Sequence, residues 1–329
     1  RIAAAVACLA FSILLAETAS AQQKPDPAAL LAAVVGIDVD IPGDARTAAR
    51  LGTHREGNGI IVSDDGLVLT IGYIILEASE ITLVLQDGRT VPATHVAYDH
   101  DSGFGLVRAL QPLDLAPVRF GDSDTAKVSN QALIATRLGP ADARGAYIVS
   151  RREFAGPWEY LLDSAIYTSP PHPNFAGAAL IGIDGTLLGI GSLLVTDSAA
   201  PDEPLPGNLF VPINELKPIY ERLVADGRRG GPARPWLGLY AAAVHGRVFV
   251  DRTADDGPAA HAGLNRGDLI VAVGDTPVED LAGFFRAVWA SGDAGDTVTL
   301  HVLTRRGAVR QVPIVSTDRA EWLRLDPSL

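Results

Sequence analysis

Methionine is absent from this 329-residue sequence, cysteine occurs once, and only 6% of the residues are aromatic. With one thiol, Cys8, no intramolecular disulfide forms and no cysteine metal cluster can be built. Cys8 lacks the leucine three residues upstream that a lipoprotein signal carries; Ala5 stands there. Positive charge is scarce, with 27 Lys and Arg against 39 Asp and Glu and a formal net charge of −12. Arg228-Arg229 and Arg305-Arg306 are isolated pairs and not a stripe, so a nucleic-acid partner is disfavoured. Long apolar runs are missing after the N-terminus. Ile2 to Ala16 follows Arg1 and leads into Ala19-Ser20-Ala21, which reads as a secretory signal, residues 1–21, cleaved before Gln22. Roughly 15 apolar residues are short for a membrane span. With no methionine, the chain is expected to begin downstream of its initiator.

The sequence is 47% hydrophobic and has no low-complexity tract, enough for about two globular domains. Residues 22–31 are polar and proline-bearing and read as a flexible leader. Ala32 to Ile41 suits a first strand, and Asp44 to Leu51 a short helix or loop. From Gly57 onward, short apolar runs alternate with turn pairs. Ile60-Ile61-Val62 and Leu67-Val68-Leu69 flank Asp64-Asp65-Gly66, and Ile81 to Leu85 precedes Asp87-Gly88. The pattern resumes at Ala132 to Thr136, Tyr147 to Ser150, Glu159 to Asp163 and 179–191 around Asp184-Gly185. Strands with hairpin turns and few helices between them indicate packed β-barrels or sandwiches.

Residues 213–225 carry apolar side chains at three- and four-residue spacing, with Gly227 beyond them, and predict a helix. Residues 227–235 have a linker's composition and mark a boundary. A small α+β unit follows: strands at Val248–Val250, Leu269–Val273, Val298–Val302 and Val309–Val315, and a helix capped by Asp280.

The chain is organised around residues 169–191, in which Asn174-Phe175-Ala176-Gly177 is a tight loop feeding a hairpin. Gly57 to Thr70, Glu80 to Arg89, Phe120 to Asp124, Phe210 to Asn214, Trp236-Leu237-Gly238-Leu239 and Gly257 to Ile270 stand around it in order. Together these stretches resemble the HtrA (DegP-like) family of trypsin-like serine proteases over residues 56–315. The resemblance implies a mainly β fold: a trypsin-like double β-barrel (32–226), the linker, then a small α+β PDZ domain (236–329).

The family's loop reads N-P-G-N-S-G-G-P-L, and its serine is the nucleophile; Ala176 stands at that position. A methyl group neither yields a proton nor attacks a carbonyl. The family's histidine base falls on Tyr73, a phenol protonated at neutral pH, and its orienting aspartate on Gly103. Asp101 is two residues away, roughly 7 Å along a strand, too far to serve the same base. Backbone N–H groups of Asn174 and Ala176 would remain as an oxyanion pocket. A displaced pair formed by Ser169 or Ser164 with His172 is the competing arrangement, with His172 read as a surface histidine in a proline-rich loop. His95, His100 and His172 show no metal-ligand spacing, so neither metal nor cofactor is expected. In the C-terminal unit the resemblance assigns Trp236, Leu237, Gly238 and Leu239 to a loop that binds a terminal carboxylate. Leu281, Phe284, Phe285 and Val288 would face it from the helix.

These readings converge on a periplasmic or secreted HtrA-like pseudoprotease that binds C-terminal or unfolded peptide segments, as a scaffold or as a modulator of an active relative. The family's trimers imply a homo-oligomer. A rewired serine-type endopeptidase and a chaperone-like holdase are the alternatives.

Overall fold

Short β-branched runs separated by Asp-Gly turns pair side by side, and here they close on themselves twice. A computed structural model describes residues 26–323; the signal segment, Cys8 and residues 22–25 of the leader lie outside them. The first barrel comprises β1 (Val34–Asp40), β2 (His54–Ile61), β3 (Leu67–Ile71), β4 (Glu80–Val84), β5 (Thr90–Tyr98) and β6 (Phe104–Ala109), in the closed order β1-β2-β3-β6-β5-β4. The second comprises β7 (Gln131–Ala135), β8 (Arg144–Gly156), β9 (Tyr160–Ser169), β10 (Ala179–Ile181), β11 (Leu187–Val195) and β12 (Gly207–Pro212), closed as β10-β11-β12-β9-β8-β7. Closure leaves neither barrel an open edge.

The barrels are not separate cores. Ile37, Leu69, Leu83 and Leu106 of the first belong to the same buried cluster as Ala135, Tyr167, Ile190 and Val211 of the second. Each such Leu or Ile contributes about 1.5–3 kcal/mol by leaving water, so the seam between the barrels is held by the core itself.

The C-terminal unit is a sheet of β13 (Leu239–Ala243), β14 (Val248–Thr253), β15 (Leu269–Val273), β16 (Thr276–Pro277), β17 (Thr297–Leu303) and β18 (Val309–Val315). Its order is β13-β14-β15-β17-β18, with β16 paired to β15, so β13 is an edge strand. The helix expected after Asp280 spans Leu281–Trp289; the Asp280 carboxylate accepts from Gly283 N–H at 2.7 Å. Phe284, Phe285 and Val288 pack with Leu237, Leu239 and Val298 in a core of the unit's own. The mainly β architecture of two barrels and a small α+β unit is therefore as the sequence implied.

Three segments differ. Residues 27–31, read as flexible leader, form a helix with Ala32, the residue expected to open the first strand: Asp26 caps Ala28 N–H, Pro27 occupies the first turn and Leu30 is buried. The single helix expected over 213–225 is a 3₁₀ turn, Ile213–Glu215, and a helix, Tyr220–Asp226. Pro218 lies between them; it has no N–H to donate and disfavours the helical conformation at Lys217. Residues 227–235 are a linker by composition but are clamped. Arg229 reaches the turn between β5 and β6, donating Nε to Asp99 Oδ1 (2.7 Å) and Nη2 to Asp99 Oδ2 (2.8 Å), and Arg234 Nε lies 3.1 Å from Asp101 Oδ2.

Burial alone would raise the Asp99 carboxyl, but Arg229 and Ser102 outweigh it and hold it below the ordinary range. Its stabilising effect is therefore present above that range and lost as pH falls through the lowered value. Arg229→Ala should cost about 2–3 kcal/mol at pH 7 by stranding a buried carboxylate. The deficit should shrink as pH falls below the ordinary carboxylate range and through the lowered value of Asp99, as read by chemical denaturation across that range.

Candidate functional site

The positions singled out in the first barrel do come together. β3 ends in a 3₁₀ turn, Gly72–Ile74, that carries Tyr73, and Gly72 N–H donates to Gly103 C=O at 2.7 Å. Tyr73 is half-buried, and its hydroxyl donates to Ser192 C=O on β11 at 2.9 Å. Burial pushes that phenol well above its ordinary value, so it stays protonated and points its proton at a backbone carbonyl. Gly103 has φ +81°, and a Cβ there would stand 3.1 Å from the Tyr160 hydroxyl, which itself donates to Ser102 C=O at 2.6 Å. Asp101, two residues before Gly103, turns instead to Arg229 (2.8 Å) and Arg234.

Ala176 is held from the first barrel through Asn58 on β2. Asn58 N–H and Nδ2 donate to Ala176 C=O at 2.9 and 2.8 Å, and Nδ2 also to Asn174 C=O at 2.9 Å. Its Oδ1 accepts from Arg137 N–H at 2.8 Å, and its carbonyl from Thr70 Oγ1 at 2.7 Å. One buried side chain thus ties the loop to both barrels. Gly177 must be glycine: φ is +71° and a Cβ would meet Asn58 O at 1.9 Å. Asn58 lies between two glycines, Gly57 and Gly59, and no local pattern points to its side chain's partners, which lie far along the chain.

The loop's own donors are partly engaged. Asn174 N–H donates to His172 Nδ1 at 3.1 Å, and its side-chain amide to Asp142 Oδ2 at 3.0 Å. His172 is not a surface residue but fully buried. Its Nε2 bonds Asp142 C=O at 2.8 Å, and its N–H donates to Asn208 Oδ1 at 2.6 Å. Because Nδ1 accepts from a backbone N–H, Nε2 carries the proton. Ser169 Oγ donates to Pro206 C=O at 2.9 Å, and Ser164 Oγ accepts from Arg151. Neither hydroxyl is directed to a free imidazole nitrogen.

His95 and His100 are half-buried and line a cavity of about 370 Å³ with Asp99, Glu159, Arg234 and Trp236. Burial lowers both, His100 to about 3 with Arg319 adding to the effect. Among the described residues, one histidine–carboxylate group has ligand atoms close enough for a metal, within 4.8 Å: Asp38, His54 and Glu56. It arises from cross-strand pairing, Asp38 opposite Glu56 and Asp40 opposite His54, which no local spacing reveals. His54 is exposed and bonds Asp40 at 3.1 Å, which raises its pKa.

In the C-terminal unit, Leu237 and Leu239 are fully buried beside Phe284, Phe285 and Val288, with Leu281 partly buried at the edge. Trp236 packs against Trp322 with the rings tilted, 5.0 Å between centroids. The N–H groups of Leu237 and Leu239 converge on one acceptor that lies far from them in sequence. Glu159, at the turn between β8 and β9, accepts from Leu239 N–H at Oε1 (2.8 Å) and from Leu237 N–H at Oε2 (3.2 Å). Burial pushes its carboxyl up to about 7, against these bonds and the Arg319 charge.

A family model of the trypsin-like peptidase domain matches residues 57–190, and one of the PDZ domain matches residues 235–314. A probable periplasmic serine endoprotease, DegP-like, of Pseudomonas fulva is 28% identical over 256 residues, 72% of this chain and 52% of the relative. The serine protease PepD of Mycobacterium tuberculosis is 28% identical over 284 residues, 79% and 60%. The periplasmic serine endoprotease DegP of Escherichia coli is 26% identical over 263 residues, 75% and 54%. The chain thus spans about half the length of the curated relatives it matches. Among solved folds, the HtrA-type protease AlgW with a decapeptide superposes with TM-score 0.54 at 19% identity, covering 92% of this chain and all of the other. A serine endoprotease from Yersinia pestis gives 0.51 at 22%, covering 89% and 98%.

Asn58→Ala removes the side-chain bonds to Asn174, Ala176 and Arg137 from a buried position. A loss of about 2–4 kcal/mol is expected, with faster amide exchange through residues 174–178 measured by hydrogen exchange.

Proposed function

We propose that this HtrA/DegP-like chain, a trypsin-like peptidase domain followed by a PDZ domain, is an exported pseudoprotease. It would bind C-terminal or unfolded peptide segments through the PDZ domain, as a scaffold or as a modulator of an active relative. What carries the reading is the chemistry at the triad positions: a methyl at 176, no side chain at 103, and at 73 a phenol whose proton is already donated to Ser192. None of the three supplies a nucleophile, a base or its orienter. Backbone donors without a nucleophile make a binding pocket, not a hydrolase. Export rests on the signal-like residues 1–21 and on the periplasmic relatives; among the described residues no helix is long and apolar enough to cross a membrane. A rewired endopeptidase is the competing reading.

Residues 22–329 should neither hydrolyse an unfolded protein nor react with a fluorophosphonate probe; labelling that disappears with Ser169→Ala would overturn the reading. The triple change Tyr73→His, Gly103→Asp, Ala176→Ser should also give no robust turnover. An aspartate at 103 must adopt positive φ and push against Tyr160, and misplacement of about 1 Å costs some hundredfold in rate. Efficient turnover by that variant would show an intact supporting shell.

For binding, the isolated C-terminal unit, residues 232–329, is the cleaner reagent because it has its own core. It should take peptides with an apolar last residue and a free carboxylate at micromolar affinity, about −8 kcal/mol, and lose them on C-terminal amidation. Gly238→Glu should abolish binding by placing bulk and negative charge in the loop. Equal binding of acid and amide forms in a titration would refute the carboxylate loop.

A further inference from the structure

The tip of the β8–β9 hairpin already makes the contacts that a peptide terminus would make. Two backbone N–H groups of the Trp236–Leu239 loop bind the Glu159 carboxylate, one to each oxygen. Two residues before Glu159, the Pro157 carbonyl accepts from Ala241 N–H on β13 at 3.1 Å. β13 is the edge of its sheet, and Leu239 and Ala241 are alternate residues along it. The hairpin therefore presents a carboxylate at the loop and a backbone carbonyl along the adjacent strand edge, the two elements by which an extended peptide adds to a sheet with its terminal carboxylate in a nest of N–H groups.

The rest of the tip is fastened too. Ala155 packs against the core of the C-terminal unit, and Arg286 of the 281–289 helix pairs with Glu153 at 2.6 Å and with Asp163. Arg319 donates to Trp158 C=O at 3.2 Å. The hairpin thus touches the loop, the edge strand and the helix that border the groove.

We propose that Glu159 is a built-in ligand of the carboxylate loop, so that a peptide terminus and the β8–β9 tip bind this groove in mutually exclusive fashion. Binding at the C-terminal unit would then release a hairpin of the second barrel, whose strand β9 pairs with β12 and, through β11, borders Tyr73. This rests on the peptide-binding reading above. A buried carboxylate raised to about 7 is held against a desolvation cost its partners do not fully offset, which suits a ligand that must yield to another.

A groove open only in a fraction of molecules binds with its intrinsic affinity divided by that fraction's rarity. The full chain, residues 22–329, is compared with its Glu159→Gln and Glu159→Ala variants in titrations with peptides selected on the isolated unit, each also as its amide. Both variants are expected to bind free-acid peptides at least about tenfold more tightly than the native chain, with no gain for amides. Hydrogen exchange supplies the readout that needs no peptide: Leu237 and Leu239 amides should be protected in the native chain and exchange faster in Glu159→Ala. Equal peptide affinity in native and variant chains overturns the self-ligand while leaving the carboxylate loop standing. Absence of binding by the isolated unit and by both variants refutes the loop itself, and with it the competition. Unprotected Leu237 and Leu239 amides in the native chain would refute the docked tip whatever the peptides do.

Discussion

The apolar core shared between two closed barrels is the constraint on which the remainder of the structure depends. Neither barrel has a free edge, so the contact between them cannot be made by strand pairing and must be made by packed side chains. Ile37, Leu106, Tyr167 and Ile190 lie in one buried cluster, and everything at the seam has to be satisfied within it. That requirement explains Asn58. A buried polar side chain is tolerated only when its hydrogen bonds are made, and Asn58 makes them across the seam, to Asn174, Ala176 and Arg137.

The same requirement governs the residues at positions 73, 103 and 176. The loop around Ala176 is shaped by backbone bonds to Asn58, Gly191 and His172 rather than by a triad. Tyr73 fills space and donates to Ser192, and Gly103 lets Tyr160 approach. The residues at 73, 103 and 176 thus leave their neighbours bonded and the loop held in place.

Charge joins the domains. The linker is held by Arg229 and Arg234 on Asp99 and Asp101, and the hairpin by Glu159 on the backbone of the next domain. These contacts differ in character. Asp99 is held below its usual range by a bidentate guanidinium, a fixed joint, whereas Glu159 is raised by burial, a joint held at a cost. The C-terminal unit is thus anchored at its entry by ion pairs and at its loop by backbone bonds to a buried carboxylate.

Local pattern made much of this legible before any coordinates. Apolar alternation with Asp-Gly turns determined the barrels, the Asp280 cap and its apolar stripe determined the last helix, and ordered motifs located Tyr73, Gly103, Ala176 and the Trp236–Leu239 loop. Proline chemistry at Pro218 was also readable, although periodicity masked it. Only the tertiary structure decided what lies far apart in sequence and close in space: the burial of His172, the bridging by Asn58, the cross-strand group Asp38–His54–Glu56, and above all the carboxylate of Glu159 in the loop that begins at Trp236. The physical reason is range. Propensity and periodicity act over a few residues, whereas hydrogen bonds joining Glu159 to Leu237 and Leu239 span 78 and 80 residues and arise only once both domains have folded against each other.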